Sequence, residues 1–254
     1  YLPQAGQAER FGLRQWRDGA LALAAGGGVT ALVYAVLTRP TASISDYFLR
    51  TTIPEGGGAN AVNVIIVDYR GFDTLGEIAV FGIAGLVIHA LLRGANPAPL
   101  TATPDGAVPP RSLMLATVMG ALLPLAAAVS FYLFLRGHNV PGGGFIGGLV
   151  LVIGLVLQYV ARGVRDADSQ VGVDWHLWIG WGLIIAIATG VGAFAFGHPF
   201  LTSSTPYVDL PVVGKVPFAS AMGFDTGVYL VVIGGAMLML LMLARLGAAR
   251  TEGR

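Results

Sequence analysis

The chain has 254 residues, 55% of them apolar and only 11% charged, with a mean hydropathy of +0.72, whereas a soluble domain carries roughly 25% charged residues. A soluble globular protein is excluded, and a net charge of +1 supplies no field to draw nucleic acid or acidic substrates. The absence of cysteine removes thiolate metal centres, disulfides and thiol nucleophiles from consideration.

In chain order, residues 9–17 place Arg10, Arg14 and Arg17 at helical spacing near Phe11 and Trp16, which predicts an amphipathic helix on the inner membrane surface. The chain begins at Tyr1 without a cleavable signal peptide, as a piece of a longer polypeptide would. A first apolar span runs over about 19–38 and a second over about 73–92. The loop between them is long for a membrane bundle. Within it Ala61 to Val67 is β-branched and apolar, and reads either as a short strand or as an early start to the second helix. Residues 94–112 are rich in Pro, Ala and Thr and read as a linker. Four more spans follow at about 113–135, 143–161, 176–197 and 225–246. Pro124 should kink the third span, and Gln158 in the fourth suits a packing hydrogen bond.

Each run is long enough for a hydrocarbon core of about 30 Å, which takes roughly 20 helical residues. Continuous apolar runs point to helices rather than alternating barrel strands. The predicted fold class is all-α: a polytopic membrane protein with about six transmembrane helices. Its predicted parts are 1–93, the linker 94–112 and a four-helix domain over 113–254. Ten of the fifteen basic residues fall on one side of this topology, which predicts that both termini are cytoplasmic.

Polar residues inside these spans are the functional candidates. Glu77 lies about one turn inside the second span, where a charge costs roughly 2.5–3.5 kcal/mol on insertion scales. Such a residue faces protein or water, and often marks an ion or proton path. Asp73 is four residues earlier on the same helix face, about 6 Å nearer the end of the helix. Gly71-Phe72-Asp73-Thr74 is echoed by Gly223-Phe224-Asp225-Thr226, so Asp225 opens the sixth span as Asp73 opens the second. Both aspartates also suit the N-cap of their own helix. The flanking Pro54-Glu55-Gly56-Gly57-Gly58 echoes Pro141-Gly142-Gly143-Gly144 in the same way.

The most specific motif is Arg136-Gly137-His138-Asn139-Val140-Pro141-Gly142-Gly143-Gly144-Phe145. Pro141 suits a first helical position. Gly143 with Gly147, and Gly144 with Gly148, form small-xxx-small pairs that let another helix approach closely. The motif lacks the closing Gly-Lys-Ser/Thr of a phosphate loop. His138 is a candidate proton carrier in the physiological range; a loop histidine is more often a hydrogen-bonding residue. His89, at the far end of the second span, reads as interfacial.

The run Asn63-Val64-Ile65-Ile66-Val67-Asp68-Tyr69-Arg70-Gly71-Phe72-Asp73-Thr74-Leu75-Gly76-Glu77 resembles the carboxy-terminal part of the large A-type component of Mrp-type multisubunit sodium/proton antiporters. The run from Gly137 through Phe145 to Leu149, with Pro199-Phe200-Leu201-Thr202 and Gly223 to Gly227, resembles the B-type (MnhB-like) component of the same complex. The resemblance covers most of residues 60–246, in the order of an A-type tail continuing into a B-type component. It implies a bacterial plasma-membrane assembly related to the membrane arm of respiratory complex I, exchanging sodium or potassium for protons without a bound cofactor. It also implies that Glu77 is the functionally important intramembrane glutamate and that Pro141 and Phe145 are signature residues. At bilayer depth, desolvation and a bound cation act on a carboxylate in opposite directions, so Glu77 is also a candidate transient sodium ligand. No span contains a Lys, so the lysine-dependent proton relay of the family would reside in large partner subunits and this chain would be an accessory or coupling subunit. The competing expectations are a membrane-arm subunit of a redox enzyme or hydrogenase, and an assembly scaffold.

Overall fold

The structure, a computed structural model, describes residues 12–40, 43–94, 113–162, 172–204, 207–210, 214–217 and 219–252. Among these, six helices are long and apolar enough to cross a membrane: Leu13–Leu37, Gly71–Arg93, Thr117–Arg136, Gly144–Ala161, Trp175–Ala195 and Ala221–Ala244. The predicted spans are therefore all present. In chain order the elements are α1 (Leu13–Leu37), α2 (Ser45–Thr51), α3 (Ala61–Val64), a π-helical turn (Ile65–Tyr69), α4 (Gly71–Gly94), α5 (Leu113–Arg136), α6 (Gly144–Arg162), α7 (Trp175–Ala195), β1 (Tyr207–Leu210), β2 (Gly214–Pro217) and α8 (Ala221–Glu252).

Two units are distinguished, Tyr1–Ile44 and Ser45–Arg254. The first holds α1, whose start is closed by the Gly12 N–H donating to Gln15 Oε1 at 3.1 Å. Arg14 and Arg17 lie inside α1 rather than on a separate surface helix, and Arg17 pairs with Asp18 at 2.7 Å. The part of the expected amphipathic segment before Gly12 lies outside the described residues, as does the linker from 95 to 112. α1 buries none of its own residues. The second unit joins the long loop and α4 to the four later helices.

The run from Ala61 is helical, which settles the choice between strand and helix. Asn60 is the N-cap of α3, its Oδ1 accepting from the Asn63 N–H at 3.4 Å. The chain then widens into the π turn before Gly71 restarts an α-helix. Thr74 Oγ1 donates to the Ile66 carbonyl, which re-satisfies a backbone acceptor freed where the ladder changes pitch. α5 runs unbroken through Pro124. The all-α expectation holds for the membrane part, and one antiparallel hairpin is added between α7 and α8, with Tyr207 opposite Pro217 and Leu210 opposite Gly214.

α8 is the axis of the second unit: 61% of its apolar window is buried, against 17% in α4 and 6% in α5. It packs against α4, α6 and α7. Lipid is as apolar as a leucine side chain, so helices associate through close packing rather than escape from water. Small residues permit that approach: Gly85 of α4 meets Gly235 of α8, and Gly182 of α7 meets Gly227 of α8. Phe224, Val228, Val231 and Val232 fill one half of the core. Trp175, Ile179, Ile233 and Met237 fill the other. Ser130 of α5 ties three helices together, bonding the Gly147 carbonyl of α6 at 2.7 Å and the Tyr229 hydroxyl of α8 at 2.8 Å. Gln158 donates to the Met119 carbonyl, the packing bond expected of it. At the end of the bundle away from Glu77, His89 of α4 meets His176 of α7 edge to face, ring centroids 4.4 Å apart.

Candidate ion site and family

A cavity of about 510 Å³ opens where α4, α6, α8 and the α3 turn converge. Glu77, Asn60, Asn63, Thr74 and Asp225 supply its polar side chains, with Pro141 and Phe145 from the glycine-rich motif. Phe81, Ile78 and Val228 make its apolar wall. Set in a mostly apolar lining, carboxylate and amide oxygens are groups that can take protons, water or a hard cation. Glu77 is exposed within the isolated chain.

Asp225 is held in place by the motif itself. The Gly144 N–H, first in α6, donates to its Oδ2 at 2.8 Å, and the Asn63 amide bonds the same carboxylate. The expectation that Asp225 caps its own helix is corrected: α8 begins four residues earlier at Ala221, and Asp225 caps α6 across the bundle. Asp73 is not an N-cap either. α4 begins at Gly71, and the Asp73 carboxylate takes the Arg70 Nε–H at 2.6 Å in an exposed pair. It is not among the residues lining the cavity. The carboxylate that shares the cavity with Glu77 is Asp225.

Pro141 is also displaced from its expected place. It precedes α6 by three residues and sits in the turn rather than at the first helical position. Gly143 adopts φ +110, a backbone conformation open to glycine, and an added Cβ there would lie 2.8 Å from Asn63 Nδ2. The Gly144/Gly148 pair faces α8 as the spacing predicts: a Cβ on Gly144 would stand 2.7 Å from Asp225 Oδ1, and one on Gly148 3.0 Å from Val232. Gly143 and Gly147 do not pair on one face, because Gly147 turns to α5, 2.9 Å from the Ser130 carbonyl by the same measure. Gly142 packs against the α5 end beside Gly137.

His138 lies outside the cavity wall. It is buried, its Nε2 3.0 Å from the Gly56 carbonyl, and burial pushes its imidazole below the usual histidine range. The two echoed loops are docked together here. The Asn60 amide donates to the Gly137 and Val140 carbonyls at 2.8 and 3.1 Å, and the Asn60 N–H to the His138 carbonyl at 3.1 Å. Asn60 and Asn63 are the site residues that sequence reasoning missed. An Asn just before an apolar run is a legible cap signal for Asn60; nothing local marks Asn63 as a partner of Asp225.

Residues 114–238 match the family described as "Domain related to MnhB subunit of Na+/H+ antiporter", and residues 13–105 match the MbhE family of MBH components. Over 108 residues the chain is 50% identical to the B-type component of the Na(+)/H(+) antiporter of Bacillus subtilis (strain 168), spanning 42% of this chain and 76% of that protein. The chain belongs to the Mrp-type multisubunit antiporter family, as an A-type tail fused to a B-type component. The fusion is carried by a relative named as the probable A/B component of a K(+)/H(+) antiporter of Rhizobium meliloti (strain 1021), 44% identical over 92% of this chain. The chain spans 26% of that relative's length. Among solved structures, a chain of the Mrp complex from Dietzia sp. DQ12-45-1b superposes with TM-score 0.78 and 33% identity, over 94% of this chain and 26% of its own. A chain of the archaeal membrane-bound sulfane sulfur reductase shares the fold, with TM-score 0.63 at 23% identity over 91% of this chain and 97% of its own.

Proposed function

We propose that this chain is an accessory coupling subunit of a cation/proton antiporter, in which the Glu77–Asp225 cavity is part of the ion path. The observation that carries the reading is that two acidic residues from separate apolar helices line one cavity. A carboxylate at that depth takes a proton or a monovalent cation, and the two compete for the same oxygens. That competition is a physical basis for exchange. Sodium or potassium enters as cargo, and the Asn60 and Asn63 side-chain oxygens are the neutral ligands that would complete its shell.

The chain is proposed to sit in a bacterial plasma membrane with its termini in the cytoplasm and the Glu77 end of the bundle outside. Its partners are proposed to be the large proton-relay subunits, since no span of this chain contains Lys. The redox alternative draws on the MbhE match over residues 13–105 and a fold likeness at 23% identity, whereas the B-type relatives are named as antiporter components.

The test is cation-dependent proton exchange in membrane vesicles holding the whole complex, normalised to assembled complex. Glu77→Gln keeps shape and hydrogen bonding and removes the charge. Exchange should fall about tenfold or more, the scale of losing one charge-assisted contact to the ion. Glu77→Asp should be milder. Wild-type exchange in Glu77→Gln, with assembly intact, would return Glu77 to a packing role.

A further inference from the structure

Glu77 sits less than two turns into α4, so whatever fixes the start of α4 fixes its carboxylate. Three features grip that start. The first is the π turn Ile65–Tyr69, an over-wide turn of a kind often found at functional sites, directly before the helix entrance. The second is Asp68 within that turn, whose Oδ1 accepts the Ser203 N–H at 2.6 Å, a bond between residues 135 apart in sequence. The third is Leu201, a non-glycine residue at φ +64 whose side chain packs on Gly71, the first residue of α4.

A left-handed conformation at Leu201 persists only where its surroundings hold it. The Leu201 N–H donates to the Gly190 carbonyl of α7 at 3.3 Å, and Ser203 is tied to Asp68 two residues on. The loop after α7 is therefore fastened to α7 at one point and to the π turn at another, with the start of α4 between them. Nothing in the ion cavity itself requires Asp68, which does not line it.

We propose that Asp68 is a positioning residue for exchange: its carboxylate clamps the loop after α7 onto the π turn, sets the Glu77 carboxylate in the cavity, and loosens when a proton neutralises it. The proposal rests on the reading of Glu77 as an ion-path residue and of this end of the bundle as external. Ionised, the carboxylate makes a charge-assisted bond to the Ser203 N–H; protonated, it is a weaker acceptor. Burial raises the Asp68 carboxyl above the usual aspartate range, and the Ser203 bond offsets part of that rise. The clamp therefore loosens at a less acidic pH than a solvated aspartate would. Among the described residues, the titratable groups around it are His138 from the α5–α6 turn, His198 from the loop after α7, and Tyr69 beside it. The nearby Arg70–Asp73 pair is exposed and bound to itself. Positive charge on either histidine favours the ionised carboxylate, so these groups tune the midpoint without supplying the bond.

The experiment uses the assembled complex in vesicles, with the pH of the side facing the Asp68 end varied. Asp68→Asn keeps the size and an oxygen for the Ser203 N–H but cannot ionise. Its exchange profile should lose the acid limb that Asp68 contributes, moving the midpoint by about one unit or more. Asp68→Ala removes the acceptor, and backbone hydrogen exchange around Ser203 should accelerate about tenfold, the size of one charge-assisted bond. A profile of Asp68→Asn that overlays the wild type would overturn the proposal, and so would unchanged protection at Ser203 in Asp68→Ala. The amide measurement needs no transport, so it separates this proposal from the ion-path reading: wild-type exchange in Glu77→Gln defeats the latter, whatever Ser203 reports.

Discussion

At the scale of single residues, Asp225 holds one structural position and one proposed functional position. Its carboxylate closes the first turn of α6 through the Gly144 N–H and also lines the cavity it shares with Glu77. Asp225→Asn separates the two roles, because the amide oxygen still caps nearly as well as a carboxylate. The complex should assemble at normal yield while exchange falls about tenfold, the scale of one charge-assisted contact; normal exchange would leave Asp225 as a cap alone. His138 makes a separate prediction. Burial lowers its folded-state proton affinity, so its contribution to stability is present above the unfolded histidine range and is lost as pH falls through it. Thermal unfolding of the purified complex should lose midpoint between about pH 7.5 and 5.5, and less so in His138→Gln; equal losses would remove His138 from the acid response. The sequence marked Asp225 as polar at a span boundary, but its partner lies 81 residues away. No local pattern encodes that distance.

At the scale of elements, the turn before α6 and the cap of α3 carry most of the local specificity. Gly143→Leu places a side chain on a backbone at φ +110 and against Asn63. The strain alone costs about 1–3 kcal/mol, and the Gly144–Asp225 bond is displaced with it. The complex should be recovered in lower yield or should lose subunits, as judged by native gel; full assembly would contradict the packing role of the turn. Asn60→Ala removes the α3 cap and the two bonds to Gly137 and Val140. A cap and two bonds, one half-buried and one exposed, are together worth about 1–3 kcal/mol, so the docked loops should become open to limited proteolysis. The glycine-rich motif was legible in the sequence as a site of close approach. Which neighbour each glycine approaches was not: Gly144 and Gly148 meet α8, while Gly147 meets α5. Side chains on one helix turn point to different neighbours, and only the packing angles decide which.

At the scale of the whole molecule, the chain leaves much apolar helix surface uncovered. α1 buries no residue, and α4 and α5 bury little of their windows. With no Lys in any span, the isolated chain should show no coupled cation/proton exchange when reconstituted alone; robust exchange would sink the accessory reading. The sequence by itself determined the membrane location, the helical class and the number of spans. Those follow from run length and from the need to satisfy every backbone group within its own segment in lipid, and both are local properties. It also determined that Glu77 stands at a depth where a charge needs a partner. Only the tertiary structure decided which other carboxylate lines the same cavity. Glu77 reads most naturally with Asp73, its neighbour on the same helix face, yet Asp73 turns to Arg70 at the exposed helix start. Asp225 reaches the cavity from α8 instead, because Gly144 and Gly148 let α6 and α8 approach until side chains far apart in sequence share one space. Interhelical contact depends on the shapes of two surfaces at once, and a reading along one strand of sequence sees each surface alone.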